Sequence, residues 1–474
     1  MRIAFLQREW FENIGIMSLS AVLKSSGYDV QAFVESAESD IIGSVKKYDP
    51  QIACFSCTTG EHLWALGIAE KLKKNLNVFT VFGGHHPTFF PDIIENPQVD
   101  AVCRDEGEYP LLELVAALEK YLPVDKIQNL YVKKEGRAIK NELRPLVENL
   151  DEIPIPAREI YDKYPEFQKS PTKHVIASRG CPFNCSYCYS HLLRNIYKDK
   201  GTFVRFRSAD GVIRELKATK EKYVLRTVFF DDDVFVFNKK WLYDFLRDYK
   251  REVGIPFICN VQAAVMTEET ARRMKEAGCF RVSMGLETGD EGLRRTLLNK
   301  SLTDRQIIES AQNLRKHGIK ILTNNMMCLP GETVEQAFKT IYLNIKIKTE
   351  YPWCSILQPY PDTEIEKYAV KKGLMKPKNH KSFSSTFFKE SPLNQKNINE
   401  LVNLQKFFYL AVKFPFLIPL IKILIKLPLR PLYHFVFLIS FAWRYKTANR
   451  LTFLEIIQFG FRNLPLYLGK KVKA

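Results

Sequence analysis

The sequence predicts an α/β chain: a doubly wound, Rossmann-like domain over residues 1–136, a connector over 137–167, a partial (β/α)6 TIM-like barrel over 168–380, and an α-helical, basic and apolar region over 381–474. Three observations carry this prediction. Short apolar runs alternate with helix-length amphipathic stretches in two blocks, the pattern of parallel strands joined by crossover helices. A polar, proline-bearing stretch separates the blocks, as a linker between two cores should. Residues 401–474 then change composition, with twelve Lys or Arg against a single acid, Glu455.

In the first block the candidate strands are MRIAFLQ, YDVQAFV, QIACFSC, NVFTVFGG and VDAVC, separated by helical stretches such as MSLSAVLKSSG, HLWALGIAEKLKK and YPLLELVAALEKY. Such runs fit a parallel sheet covered on both faces. Its ligands would bind beyond the carboxyl ends of the strands, which singles out the loops after QIACFS and NVFTVFGG. EGRAIKNE reads as a polar hairpin and LDEIPIPAREIYDKYP as a proline-rich passage, both within the connector. The second block offers HVIAS, RTVFFDD, PFICNVQ, FRVSMGLE, KILTNNMMCLP and CSILQPY as strands, with TEETARRMKEAG and DRQIIESAQNLRKHG among the intervening helices. Six strand–helix repeats place an active site at the C-terminal mouth of the strands.

With 474 residues and 46% hydrophobic content the chain has room for two or three cores and is no disordered polymer. The net charge of +17 could suggest nucleic acid, but residues 401–474 supply +11 of it and the rest only +6. No basic stripe interleaved with aromatics lies near the barrel strands, so nucleic acid is not an expected partner. MRIAFLQREWFENIG lacks the features of a secretory signal, and no run of about 18 uninterrupted apolar residues follows. A cytoplasmic protein with reduced thiols is expected, and seven of the ten cysteines read as packing residues.

The other three, Cys181, Cys185 and Cys188, stand in RGCPFNCSYC just after the first barrel strand, at the predicted mouth. A structural zinc would need a fourth ligand, for which His191 is the near candidate. A three-thiolate iron–sulfur cluster would leave one iron open to another ligand. The C-x3-C-x2-C spacing favours the cluster over zinc, and either over loop cysteines without a metal.

CPFNCSYC resembles the cluster motif of the radical S-adenosylmethionine superfamily, with Tyr187 as the aromatic residue before the last cysteine. The resemblance implies an anaerobic enzyme in which the three thiolates hold a 4Fe-4S cluster and S-adenosylmethionine chelates the open iron. An electron, from a flavodoxin- or ferredoxin-like donor, would then cleave the S–C bond to a 5'-deoxyadenosyl radical. Taken position by position, VFFDDDVF stands where many members carry Gly-Gly-Glu, which makes the run Asp231 to Asp233, and Asp232 and Asp233 above all, candidates for the methionine amino group; a solvated acidic turn is the alternative. SMGLETGDE resembles the fourth-strand segment, in which Glu287 would contact the cofactor and Gly285 permit its approach, the alternative being a helix-capping acid. In NNMMCLPGET, Pro330 and Gly331 would shape the loop beside adenine, although any turn uses Pro-Gly equally well. Asn260, closing PFICN, would meet a carboxylate or ribose.

The order of doubly wound domain, connector and radical barrel resembles the cobalamin-dependent, class B-type methyltransferases of that superfamily. GGHHPTFFP, DAVCRDEGE, IPIPAR and QPYPDTEIEKYAVKKG extend the likeness over roughly residues 1–375. It implies cobalamin on the first domain, with Gly83 and Gly84 allowing close backbone approach and Ser56, Thr58 and Thr59 donating hydrogen bonds. His86, of the pair His85–His86, completes the candidate contacts, while the D-x-H-x-x-G signature of a lower axial histidine is absent. Cys54 and Cys57 end a strand instead of opening a helix and read as buried thiols.

The implied reaction is methylation of an unactivated carbon in a small-molecule or lipid, natural-product-like substrate. The rivals are a radical cyclase, rearrangement or C–C coupling enzyme that does not use methylcobalamin, and a non-catalytic metal-binding protein at a membrane. In the tail, Lys422, Lys426, Arg430 and Arg444 interrupt the apolar sequence, and a bilayer span would bury them at about 2.5 to 3.5 kcal/mol each. A peripheral amphipathic element at the inner face of the membrane is therefore expected ahead of a helical subdomain packed on the barrel.

Overall fold

The computed structural model describes residues 1–377, 386–449, 451–453, 455–457 and 460; the predicted barrel boundary at 380 and the tail from 461 lie outside the described residues. Strands β1 (Arg2–Gln7), β2 (Asp29–Val34), β3 (Ile52–Ser56), β4 (Phe79–Gly83), β5 (Ala101–Cys103), β6 (Leu130–Lys134) and β7 (Arg137–Lys140) form one sheet in the order β2-β1-β3-β4-β5-β6-β7. The first five run parallel. Ile3, Phe5, Cys54 and Val81 face one core with helices Ile14–Ser25 and Glu108–Glu119. Their neighbours Ala4, Leu6, Phe55 and Phe82 face another with helices Ile41–Tyr48 and His62–Asn75. Burial on both faces is why these strands read as continuous apolar runs.

EGRAIKNE is a hairpin, but it belongs to the sheet and not to the connector. β6 pairs antiparallel with β5, Val132 opposite Ala101, and β7 extends the sheet to Lys140, beyond the expected 136. β5 is only three residues long, and the hairpin covers backbone groups that its open edge would leave unpaired.

The second sheet comprises β8 (Thr172–Val175), β11 (Thr227–Phe230), β12 (Phe257–Val261), β13 (Cys279–Glu287), β14 (Lys320–Met327) and β15 (Tyr351–Ile356), all parallel and in sequential order. Between β8 and β11 the short strands β9 (Ser178–Arg179) and β10 (Arg205–Phe206) pair antiparallel with each other. Val228, Phe230, Val282 and Met284 point to the surrounding helices. Two of those helices begin in capping boxes, Thr303 with Gln306 and Thr333 with Gln336, which fix where the chain leaves the strand-end loops.

The connector locks the two sheets together. Arg158, from IPIPAR, is 4% exposed; it bridges Glu12 of the first domain at 3.0 Å and Glu215 of the barrel at 3.2 Å, and Lys173 of β8 reaches Glu12 at 2.7 Å. Arg158→Ala would take one of two cationic partners from each of two buried carboxylates, leaving Lys173 on Glu12 and Arg207 on Glu215, so a loss of about 1.5 to 3 kcal/mol is expected in denaturant unfolding, with earlier proteolysis at the connector.

Helix Ile398–Lys413 lays Leu401, Leu404 and Phe408 over Cys354 and Ile356 of β15 and over helix Val334–Lys346. Helix Arg430–Ala448 packs on it through Tyr433, and Arg281 of β13 donates to the carbonyl of Ala448, a cation at the negative end of the helix. The described part of this region is thus a helical subdomain packed on the barrel by one face, with its other face left exposed. β15 is the edge of an open sheet, and its apolar residues need this cover. No helix among the described residues is long and apolar enough to cross a membrane.

Candidate active site

The cysteine loop follows β9 and is held on every side. Gly180 turns the chain at φ +88°, and a Cβ there would sit 2.2 Å from the carbonyl oxygen of Phe203. Ser186 donates through its hydroxyl to the carbonyl of Leu297 at 2.6 Å and through its backbone N–H to that of Leu298 at 3.0 Å. Asn299 donates to the carbonyl of Asn184 at 2.8 Å and Arg194 to that of Pro182 at 2.7 Å. Cys188 is the N-cap of helix Tyr189–Ile196, its sulfur accepting from the N–H of Ser190 at 3.4 Å. All three thiols are free and only partly buried, whereas the other seven cysteines are buried.

Burial pushes the Cys181 thiol up to about 12 and raises that of Cys185, so metal binding must displace their protons. His191 donates through Nδ1–H to the carbonyl of Cys188 at 2.9 Å. Among the described residues no three His, Cys, Asp or Glu side chains converge as ligands of one ion would. Neighbouring thiols on a rigid loop suit a multi-iron cluster, in which each sulfur takes its own iron.

Behind the loop, Tyr187 is half-buried beside Glu287, which ends β13 at φ +69°. Lys300 donates to Glu287 Oε1 at 2.9 Å and to the carbonyl of Gly285 at 2.7 Å. A Cβ on Gly285 would meet Glu287 Oε1 at 2.4 Å and Lys300 Nζ at 2.9 Å. The glycine therefore makes room for this ion pair, a role not foreseen from sequence.

A cavity of about 420 Å³ lies where the strand ends of both domains meet. Ser56, Gly84, His85 and Asp105 line it from the first domain, and Gly180, Ser190 and Asp231 to Asp233 from the barrel. Gly84 lies at φ +90°, where a Cβ would meet the backbone nitrogen of Cys57 at 2.9 Å. The glycine thus lets this loop pack tightly on the end of β3 while its backbone lines the cavity. Arg179 joins the two sides, bridging Glu106 at 2.8 Å and Glu108 at 2.5 Å. His85 and Asp233 are both exposed to the cavity; partial desolvation by the walls favours the neutral form of each, while their mutual attraction opposes it.

The predicted site residues do not all converge. Asp232 is 1% exposed and turned inward; it accepts from the N–H of Ala177 at 3.1 Å and from the hydroxyl of Ser178. It braces the start of the cysteine loop and offers nothing free to an amino group. Asn260 donates to the carbonyl of Asp232 at 3.1 Å. Thr58 bonds Glu61 at the head of helix His62–Asn75 and does not line the cavity. His86 stacks on His62 at 3.7 Å, so His85 is the imidazole that reaches the cavity. Gly83 ends β4 opposite Ser56, and Pro330 and Gly331 form a plain turn in which the N–H of Gly331 donates to Gln395 at 3.0 Å. Sequence reasoning weighed His85 beside His86 and Asp231 within its acidic run, but missed Asp105, Lys300 and His174, which pairs with Asp231 at 2.6 Å. Of these only Asp105 had a signal, since it follows a predicted strand.

Burial raises the Asp232 carboxyl to about 6, against the hydrogen bonds that pull it down. A carboxyl raised on folding stabilises the protein most below its unfolded value, and that contribution is lost as pH rises through the folded one. Asp232→Asn is expected to flatten the fall in melting temperature between 3.8 and about 6, in a pH series on the metal-free protein.

A three-thiol loop at the mouth of a six-stranded half-barrel, facing the strand ends of a doubly wound domain, defines a radical enzyme with a cofactor-carrying partner domain. Residues 175–341 match the Radical SAM superfamily and residues 9–115 the B12 binding domain. An uncharacterized methyltransferase of Pyrococcus horikoshii is 34% identical over 383 residues, covering 78% of this chain and 81% of its own. An anaerobic magnesium-protoporphyrin IX monomethyl ester cyclase of Rubrivivax gelatinosus is 25% identical, covering 76% and 69%. The structure of TsrM from Kitasatospora setae, a radical S-adenosylmethionine methyltransferase, superposes with a TM-score of 0.66 at 16% identity, covering 78% and 76%. The chain belongs to the cobalamin-dependent radical S-adenosylmethionine enzymes. Its cofactors are a 4Fe-4S cluster, S-adenosylmethionine and cobalamin, and its substrate is a small molecule. The non-catalytic rival finds no support.

Proposed function

We propose that the enzyme methylates an unactivated carbon of a hydrophobic, natural-product-like or lipid substrate. The observation that carries this reading is the cavity where Gly180 and Ser190, which flank the three cysteines, face the first domain's strand ends. The bound cofactors supply a reducing electron, a hydrogen-abstracting radical and a metal that carries a methyl group.

The residues of the chain bind and position. Cys181, Cys185 and Cys188 hold the cluster. Tyr187, Gly285 and Glu287 border S-adenosylmethionine, with Asp233, exposed beside Ser190, as the carboxylate for its amino group, while Asn260 and the turn at Pro330 and Gly331 support the surrounding loops. Asp232 positions the loop. Ser56, Gly83 and Gly84 border cobalamin, with His85 in place of His86. Ile14, Leu19, Ile176 and Phe203 in the cavity wall keep water from a reactive carbon centre. A flavodoxin- or ferredoxin-like protein delivers the electron, and the C-terminal region touches the inner face of a membrane.

The methyltransferase relatives favour methyl transfer, and the cyclase relative keeps cyclisation as the second reading. The test is anaerobic reconstitution with iron, sulfide and hydroxocobalamin, followed by desalting. Near-stoichiometric cobalamin together with 5'-deoxyadenosine formation is expected. An intact cluster without retained cobalamin would overturn methyl transfer in favour of the cyclase reading.

A further inference from the structure

Of the 22 large apolar side chains exposed among the described residues, twelve fall between Phe414 and Ile457. They are not scattered. On helix Arg430–Ala448, Tyr433, Phe437, Ser440, Arg444 and Ala448 are buried, while Leu432, Phe435, Ile439 and Trp443 are 55%, 61%, 56% and 55% exposed. Both sets recur at helical spacing, so the helix has two apolar faces and the barrel occupies one. Leu420, Ile423 and Leu427, at 51%, 63% and 40% exposure, extend the outer face across helix Ile418–Leu424 and the turn after it.

The charges carried by this segment have one sign. No Asp or Glu occurs between Leu401 and Leu454. Lys422, Lys426 and Arg430 are exposed beside the apolar residues, and none forms a salt bridge among the described residues, although Glu335 of the neighbouring helix lies within the field of Lys422. An apolar stripe that ends in an indole and carries only cations along its own segment matches the boundary between acyl chains and anionic headgroups.

We propose that this outer face docks on an anionic lipid bilayer. Helix Arg430–Ala448 lies in the plane of the interface, with Phe435, Ile439 and Trp443 in the acyl boundary and Lys422, Lys426 and Arg430 on headgroup phosphates. The inference rests on the membrane contact stated above and on none of the radical chemistry, so vesicle binding and S-adenosylmethionine cleavage succeed or fail separately.

The test is flotation of the reconstituted full-length enzyme with phosphatidylcholine vesicles, with and without phosphatidylglycerol. Binding is expected only with the anionic lipid, accompanied by a blue shift of indole emission that Trp443→Phe removes. Lys422→Gln, Lys426→Gln and Arg430→Gln combined should weaken binding roughly a hundredfold, at about 1 kcal/mol per cation. Phe435→Ser, Ile439→Ser and Trp443→Ser combined should abolish it, with 5'-deoxyadenosine formation unchanged in both variants. The proposal is overturned if the enzyme does not float with anionic vesicles, or if neither variant changes flotation. It is equally overturned if the wild type sediments as a dimer that the serine variant dissolves, which would assign the face to a second copy, or if only a chain ending at residue 457 binds, which would assign it to the enzyme's own tail.

Discussion

Cys185→Ala is expected to reduce 5'-deoxyadenosine formation to background and to remove the iron–sulfur absorbance, with Cys181→Ala and Cys188→Ala behaving alike. Each thiol would take a separate iron, so no neighbour can substitute for a missing one, and His191 is already engaged with the carbonyl of Cys188. The fold should survive the change. The loop is held by Ser186, Asn184 and Pro182 through backbone and hydroxyl contacts that do not involve sulfur. Iron content and melting temperature measured on one preparation check both halves. If the alanine variants still cleaved S-adenosylmethionine, the assignment of the three cysteines would fail.

Gly180→Ala should do comparable damage by another route. An alanine at φ +88° costs about 1 to 2 kcal/mol for the left-handed conformation. The added Cβ also meets the Phe203 carbonyl at 2.2 Å, so backbone must shift. Cys181 is the next residue, and the expected outcome is a large loss of iron incorporation with a clear fall in melting temperature. Gly331→Ala is the control. It shares a positive φ, +78°, but its Cβ would meet nothing within 4 Å. That variant should lose about 1 kcal/mol and keep its cluster. Equal cluster loss in both variants would mean that conformational strain and not the close approach to Phe203 governs the loop.

The two blocks of strands and the cysteine motif were legible in the sequence because each is a local pattern. A strand buried on both faces, such as Ile52–Ser56, announces itself by its apolar run. The C-x3-C-x2-C spacing specifies its chemistry within eight residues. The hairpin Leu130–Lys140 was recognised but misplaced, since nothing in EGRAIKNE says which edge it will cover. The packing of the tail was not legible for a related reason: its composition is the same whether one helix face or none is packed, and the bare edge at β15 decides which face is covered.

The sequence by itself determined the class of chemistry and the order of the domains. Only the tertiary structure decided which side chains share the cavity. His85 and not His86 lines it, and Asp233 is exposed where Asp232 is buried against the start of the cysteine loop, although each pair is adjacent in the chain. Adjacent residues leave the backbone in different directions, and which of the two meets the site is set by where a distant segment packs. For Asp232 that segment is the start of the cysteine loop; for His86 it is His62.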